Sequence, residues 1–277
     1  MSGHSPGDSL RLRFAKAHAY GNDFLYVDQS AVRDLPPVPL AQAMCDRHTG
    51  IGADGLILYA PASDGAAMTL LNSDGSPAEV SGNGIRGLAA LLLRDDDRET
   101  AAVTVHTVAG DKRLTRIDRA GVRQTFRTAM GPPADVREVS LMAGGESLRA
   151  VVLSMGNPQC VLLGPLPDDG RFRRLGAALE HHTMFASGTN VEFAEVEASD
   201  RVRILIWERG CGVTQSSGTG SCAAAVAAAS FGGAARDVDI VAPGGAQRVE
   251  WLPDSVYLTG WVEVIGVGEW LGPLPRS

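Results

Sequence analysis

A chain of 277 residues with 44% hydrophobic and 21% charged residues has material for one large domain or two of ordinary size. Its formal net charge of −7, with no basic stripe, excludes an electrostatic footprint for nucleic acid, and no apolar run reaches the ~20 residues of a membrane span. Residues 1–9 are polar and read as a loose tail rather than a signal peptide; the four cysteines show no C-x-x-C spacing, so a cytoplasmic location is expected.

In chain order, alternation of apolar and polar residues predicts strands over 10–16 and 25–28. They are joined by a turn containing Gly21, Asn22 and Asp23, residue types that turns favour for their own sake. A helix is expected over 40–48 and a strand over 56–59. The strand 67–71 leads into the polar turn Asn72-Ser73-Asp74-Gly75-Ser76, after which Ser81-Gly82-Asn83-Gly84 opens an apolar helix over 83–93. Strands follow at 102–108, 111–118 and 123–129. Gly131-Pro132-Pro133 breaks either period and reads as a boundary. The second half repeats the style of the first: strands at 149–153 and 159–163, a helix at 171–180, and strands at 190–195 and 202–207. A helix over 218–230 comes next, then short strands at 237–241, 247–252, 255–259 and 261–266.

The segment 208–222 is the most informative. Glu208-Arg209 ends a strand, a glycine-rich turn follows, and Ser217-Gly218-Thr219-Gly220 opens an Ala-rich helix. Gly218 and Gly220 let a ligand approach the backbone closely, and the N–H groups of a helix start favour an anion such as a carboxylate or phosphate. The same Ser-Gly-x-Gly device at 81–84 suggests two related lobes. Many short strands and one apolar helix per lobe suggest an α+β fold in which a curved sheet wraps a helix; an ordinary buried core helix explains the Ala run equally well.

Taken together these segments resemble the diaminopimelate epimerase family from about residue 10 to 270. The resemblance rests on Gly21-Asn22-Asp23-Phe24, Gly50-Ile51-Gly52-Ala53-Asp54-Gly55, Asn72-x-Asp74-Gly75-Ser76 and Gly82-Asn83-Gly84-x-Arg86. It continues through Gly156-Asn157-Pro158, Thr189-Asn190-Val191-Glu192-Phe193, Glu208-Arg209-Gly210-x-Gly212-x-Thr214 and Gly218-Thr219-Gly220. It implies two pseudo-symmetric lobes, each a curved sheet or barrel around a central helix. These would be residues 1–130 joined by the last strand at about 264–277, and residues 131–263, with the active site in the cleft between them. It also implies an isomerase that needs neither pyridoxal phosphate nor a metal, acts on a small zwitterionic amino acid and forms a homodimer. The substrate would be held by Asn22, Asn72, Gly82, Asn83, Asn157, Asn190, Glu208, Arg209, Gly218 and Thr219.

Those residue types suit the reaction. Inverting an α-carbon without a cofactor requires a base on one face and an acid on the other. Helix starts stabilise the charge that builds on the α-carboxylate. Arg209 suits a bidentate grip on a distal carboxylate, Glu208 an ammonium, and the asparagines both ends of a zwitterion.

Three positions depart from the family. Its two acid/base groups are cysteines, where this chain has Ser81 and Ser217, and its histidine after Gly-Asn-Pro is here Gln159. An alcohol is far less acidic than a thiol. The sequence therefore leaves several readings open: an epimerase of LL- to meso-diaminopimelate, in lysine and cell-wall precursor synthesis, that uses serines; a binding paralogue; or an inactive cysteine-to-serine form. A phenazine-biosynthesis-type isomerase, in which a carboxylate such as Glu79 or Glu208 moves the proton, is a further alternative.

The remaining features have plainer readings. His181-His182 lacks a third ligand at metal-binding spacing and reads as an exposed helix end. Ser76 and Thr214 suit turns or caps as well as a ligand, and Asp23 and Asp74 suit Asx bonds within their own turns. Arg86 reads as an internal anchor, Cys45, Cys160 and Cys222 as packing residues, and Cys211 as a variable loop position.

Overall fold

The computed structural model describes residues 10–78, 81–108 and 110–272. The chain divides into two units: everything up to Gln124 together with the stretch from Trp261, and Thr125–Gly260.

The first unit contains β1 (Leu10–Ala19), β2 (Asn22–Asp28), α1 (Pro37–Cys45), β3 (Gly55–Ala62), β4 (Gly65–Asn72), β5 (Pro77–Ala78), α2 (Gly82–Leu92), β6 (Ala101–Thr107) and β7 (Gly110–Ala120). Strand β8 (Arg123–Gly131) carries the chain into the second unit. That unit contains β9 (Ala134–Ala143), β10 (Glu146–Ser154), β11 (Pro158–Leu163), α3 (Asp169–Glu180), β12 (Asn190–Ala198), β13 (Arg201–Glu208), β14 (Gly212–Thr214), α4 (Gly218–Ala227), β15 (Asp237–Ala242) and β16 (Gly245–Trp251). Strand β17 (Val256–Gly272) returns the chain to the first unit, where it pairs antiparallel with β1.

The two units share one α+β topology. In the first, β1 and β2 pair antiparallel, α1 crosses over to place β3 parallel to β2, and β3 and β4 form a hairpin. Helix α2 then crosses over to set β6 parallel to β4, and β7 pairs antiparallel with β6. The second unit repeats each step: β10 with β11, α3 leading to parallel β12, the β12–β13 hairpin, then α4 leading to β15 parallel to β13 and β16 antiparallel to β15. Parallel neighbours need long crossovers, and in both units helices supply them.

A helix that is apolar all round has no face for water, so it must be wrapped. Every residue of α2 from 82 to 90 is buried, and the helix packs on β1, β2, β6 and β7. In α4 all residues but Thr219 are buried, and the helix packs on β10, β11, β12, β13, β15 and β16. Small residues permit the close packing. The Tyr26 hydroxyl donates to the Gly84 carbonyl at 3.0 Å, and a Cβ at Gly87 would lie 2.0 Å from that hydroxyl.

Besides the short strands β5 and β14, which were not expected, the structure departs from the expected elements in three places. The two short strands expected at 255–259 and 261–266 are one 17-residue strand, because Gly260 leaves the alternation of buried and half-buried residues unbroken. Strand β9 was not anticipated; only Leu141 and Ala143 are buried in it, so its apolar alternation is faint, and pairing with β10 fixes it. Helix α4 ends at Ala227, and a wider turn over Ala228–Gly232 stops at Gly233, which has φ +78°.

Candidate active site

Each central helix begins with serine at its N-cap. Ser81, in extended backbone, accepts a hydrogen bond from the Gly84 N–H at 3.1 Å. Ser217, likewise extended, accepts one from the Gly220 N–H at 3.2 Å. This is ordinary capping, since the hydroxyl oxygen satisfies one of the unpaired N–H groups of the first turn. The cap uses a lone pair and leaves the hydroxyl proton available for transfer. Glycine at the third helical position keeps the approach open: a Cβ at Gly84 would come within 2.9 Å of Ile57 Cδ1, and one at Gly220 within 2.6 Å of Glu192 Oε1.

In the first unit the turn before β2 and the start of α2 are tied together. Asn83 Nδ2 donates to Asn22 Oδ1 at 3.2 Å, Asn22 Nδ2 donates to Asp54 Oδ2 at 2.8 Å, and Arg86 Nη1 donates to Asn83 Oδ1 at 3.2 Å. Arg86 is 1% exposed, which fits an internal anchor. Among the described residues, Asp23 does not make the Asx bond expected within its own turn: its carboxylate pairs with Arg47 at 2.8 Å and Lys16 at 2.9 Å and accepts from the Asp54 N–H at 3.2 Å. Burial pushes its carboxyl up, but hydrogen bonds from Arg47 and Lys16 outweigh that and hold it below the usual range. The Asn72 side chain makes no hydrogen bond to this cluster and donates instead to Ser76 Oγ at 3.0 Å, while the Ser76 N–H donates to Asp74 Oδ1 at 2.8 Å and closes the expected Asx turn. Glu79 lies outside the described residues.

In the second unit the equivalent turn precedes β11. Asn157 Nδ2 donates to Thr219 Oγ1 at 3.4 Å, and Gln159 Nε2 donates to Asn157 Oδ1 at 2.7 Å. Asn190, at the start of β12, accepts the Arg209 N–H at 3.0 Å through Oδ1 and donates to the Pro158 carbonyl at 3.3 Å. The Arg209 guanidinium donates to the Ser187 carbonyl at 3.1 Å, and Glu180 accepts from the Gly210 N–H at 2.8 Å, which shapes the loop that carries Glu208 and Arg209. Ser217, Gly218 and Thr219 follow β14 as the first turn of α4, and the Ser221 hydroxyl donates to the Ser217 carbonyl at 2.7 Å. Gln159, Asn157, Asn190, Arg209 and Thr219 therefore form one hydrogen-bonded region. Gly82 and Gly218 are buried at the first helical positions of α2 and α4.

The buried thiols are poor proton carriers. Burial pushes Cys45 up to about 12 and raises Cys160 further from the neutral range. Cys222 is packed in the core, and Cys211 is exposed in the loop after Arg209. His181 caps the end of α3, and among the described residues no group of three His, Cys, Asp or Glu is placed to hold a metal ion.

Glu192 received no role from the sequence. It is fully buried on β12 with neither carboxyl oxygen hydrogen-bonded among the described residues, and burial, then the nearby Glu208 charge, raises its carboxyl well above the usual range. The available signal was an acid at an inward position of an apolar strand.

The sequence profile described as Diaminopimelate epimerase matches residues 14–135 and 151–265. A diaminopimelate epimerase from Desulforudis audaxviator (strain MP104C) is 39% identical over 277 residues, covering 94% of this chain and 99% of that protein. Among solved structures, a predicted epimerase from Pseudomonas aeruginosa superposes with a TM-score of 0.74 at 18% identity, covering 95% of this chain and 100% of that one. A phenazine biosynthesis protein of the PhzF family from Enterococcus faecalis reaches a TM-score of 0.62 at 12% identity, covering 94% and 99%, and so shares the fold. Sequence likeness thus runs to the epimerases along nearly the whole chain, and the chain belongs to the diaminopimelate epimerase family.

Proposed function

We propose that the chain is a cofactor-independent amino-acid epimerase that interconverts LL- and meso-diaminopimelate by two-base proton transfer at the α-carbon. The observation that carries this reading is the duplicated cap: each central helix presents a serine oxygen at its first turn, where the family has its acid/base group. One serine accepts the α-proton while the other delivers a proton to the opposite face, so Ser81 and Ser217 are the catalytic pair. The helix starts at Gly82 and Asn83 and at Gly218 and Thr219 bind the α-carboxylate and stabilise the charge it gains in the transition state. Asn22, Asn72, Asn157 and Asn190 bind the remaining polar groups, with Gln159 supporting Asn157. Glu208 takes the distal ammonium, and Arg209 the distal carboxylate. No helix among the described residues is long and apolar enough to cross a membrane, and the substrate is a polar amino acid; we place the reaction in the cytoplasm.

The test is α-proton exchange with LL-diaminopimelate in D₂O, followed by NMR. Deuterium uptake with inversion, lost in Ser81→Ala and in Ser217→Ala, is the expected result. Binding without exchange would reassign the chain to ligand binding alone, and proton movement on a conjugated acid without inversion would favour the phenazine-type reaction.

A further inference from the structure

Behind Ser217 lies a group of polar atoms that the proposed reaction has not yet used. Glu192 faces α4 from β12. A methyl group placed on Gly220 would come within 2.6 Å of its Oε1 and within 3.2 Å of Ser217 Oγ, so carboxyl and hydroxyl flank the same point of the first turn. The register of β11 with β12 pairs Gln159 with Asn190 and Val161 with Glu192, which puts Gln159 and Glu192 on one face of the sheet. Val161 belongs to the core around α4, so that face is the one turned to the helix.

Both side chains are 0% exposed. Gln159 Oε1, Glu192 Oε1 and Glu192 Oε2 all lack a hydrogen-bond donor among the described residues. An ionised carboxylate beside a helix start draws N–H donors to itself. Here the N–H of Gly220 goes to Ser217 instead. A buried charge left in this way is strongly disfavoured, and a carboxyl escapes that penalty by keeping its proton. The titratable neighbours, Cys160 on β11 and Glu208 on β13, bring no positive charge.

We propose that Glu192 is held as a neutral carboxylic acid and is the proton store for Ser217. The inference rests on the epimerase reading above. Glu192 is not hydrogen-bonded to Ser217 at rest, so the relay includes a turn of its carboxyl toward the Ser217 oxygen. When Ser217 gives its hydroxyl proton to the α-carbon, the Glu192 O–H proton then passes to the Ser217 oxygen and leaves a Glu192 carboxylate. In the opposite direction that carboxylate takes the Ser217 hydroxyl proton as Ser217 takes the α-proton. Ser217 is then a hydroxyl before and after each transfer, and no free alkoxide is formed. The usual cost of alcohol chemistry at neutral pH is avoided on this face. Glu192 acts through Ser217 and is a positioning residue in that sense.

Glu192→Gln keeps the size and neutrality of the side chain and removes only the transferable proton; Glu192→Asp keeps the proton and shortens the reach. The infrared difference between wild type and Glu192→Gln at neutral pH is expected to show a protonated carboxylic acid C=O band that shifts in D₂O. In kinetics with LL-diaminopimelate, Glu192→Gln is expected to lower kcat about 100-fold at unchanged KM, the low end for loss of an acid–base group. Glu192→Asp is expected to recover part of that loss. A carboxylate band in place of the acid band overturns the neutral state, and wild-type kcat in Glu192→Gln overturns the relay. If the wild type itself exchanges no α-proton, the epimerase reading falls together with the relay, whereas a silent Glu192→Gln effect in an active wild type removes the relay alone.

Discussion

Replacing both cap serines with cysteine, Ser81→Cys with Ser217→Cys, changes the acidity of the two proton carriers and little else. On the Ser81 face, where no proton store is proposed, the alcohol-to-thiol gap is about 5 pKa units, which at ~1.36 kcal/mol per unit is about 7 kcal/mol in the cost of forming the base. Fully expressed in the barrier, that is roughly 10⁵ in rate. Part of it is returned because a weaker base pulls less strongly on the α-proton, and a Brønsted coefficient near one half leaves a gain on the order of 10² to 10³. The helices pay a modest cost, since sulfur is a poorer partner than oxygen for the N–H groups of Gly84 and Gly220. Full loss of a cap costs ~1 kcal/mol, so the double variant is expected to fold with a melting temperature only several degrees lower. The assay is the rate of α-deuterium uptake by LL-diaminopimelate at mildly alkaline pH, with calorimetry on the same samples. Exchange no faster than in the parent chain, in a folded variant that still binds the amino acid, would refute the assignment of these caps as proton carriers.

Three further outcomes are expected. Glu192 has a folded pKa raised above its unfolded value of about 4.5, so its contribution to stability is intact below that value and is lost as pH rises toward the folded pKa. The loss runs at about 1.4 kcal/mol per pH unit, so urea unfolding from pH 5 upward should show Glu192→Gln gaining on the wild type; parallel curves would contradict a buried neutral acid. Arg116 is 0% exposed and donates to the carbonyls of Leu93 and Asp96 and to Gln124 Oε1 at 2.8, 2.7 and 3.0 Å, tying the end of α2 to β7. Arg116→Met strands those acceptors and should cost about 3–5 kcal/mol in the same measurement; a loss below 1 kcal/mol would mean that they find other donors. Arg209→Ala should weaken diaminopimelate binding at least tenfold by calorimetric titration, and unchanged affinity would remove the distal-carboxylate role.

What was legible in the sequence was local. Ser81-Gly82-x-Gly84 and Ser217-Gly218-x-Gly220 mark helix starts because serine caps and glycine permits close approach, and both helices begin there. Asn22 with Asn83, and Asn157 with Thr219, come together as neighbouring turns of a repeated topology would bring them. The rest depended on partners far away in the chain. Strand β9 exists through its pairing with β10, and β17 runs on past Gly260 because its neighbours extend with it. Asp23 looked like a turn residue and instead holds Arg47 and Lys16, a pairing that no local pattern reports. Glu192 was visible as a letter in a motif, but its meaning lies in what fails to contact it, which only packing reveals.

The order of the strands also bears on how the chain acquires its shape during synthesis. The second unit is one continuous stretch, Thr125–Gly260, whereas the first is closed by a strand whose pairing with β1 reaches from Leu10 to Gly272. Vectorial synthesis ordinarily lets the N-terminal part of a protein fold first. Here the N-terminal segments must wait for β17 to leave the ribosome, while the later-made unit has its own described segments sooner. Until then, among the described residues, β1 has β2 as its one strand neighbour, and its other edge stays open to unwanted pairing. That interval is the one in which chaperones have most to protect.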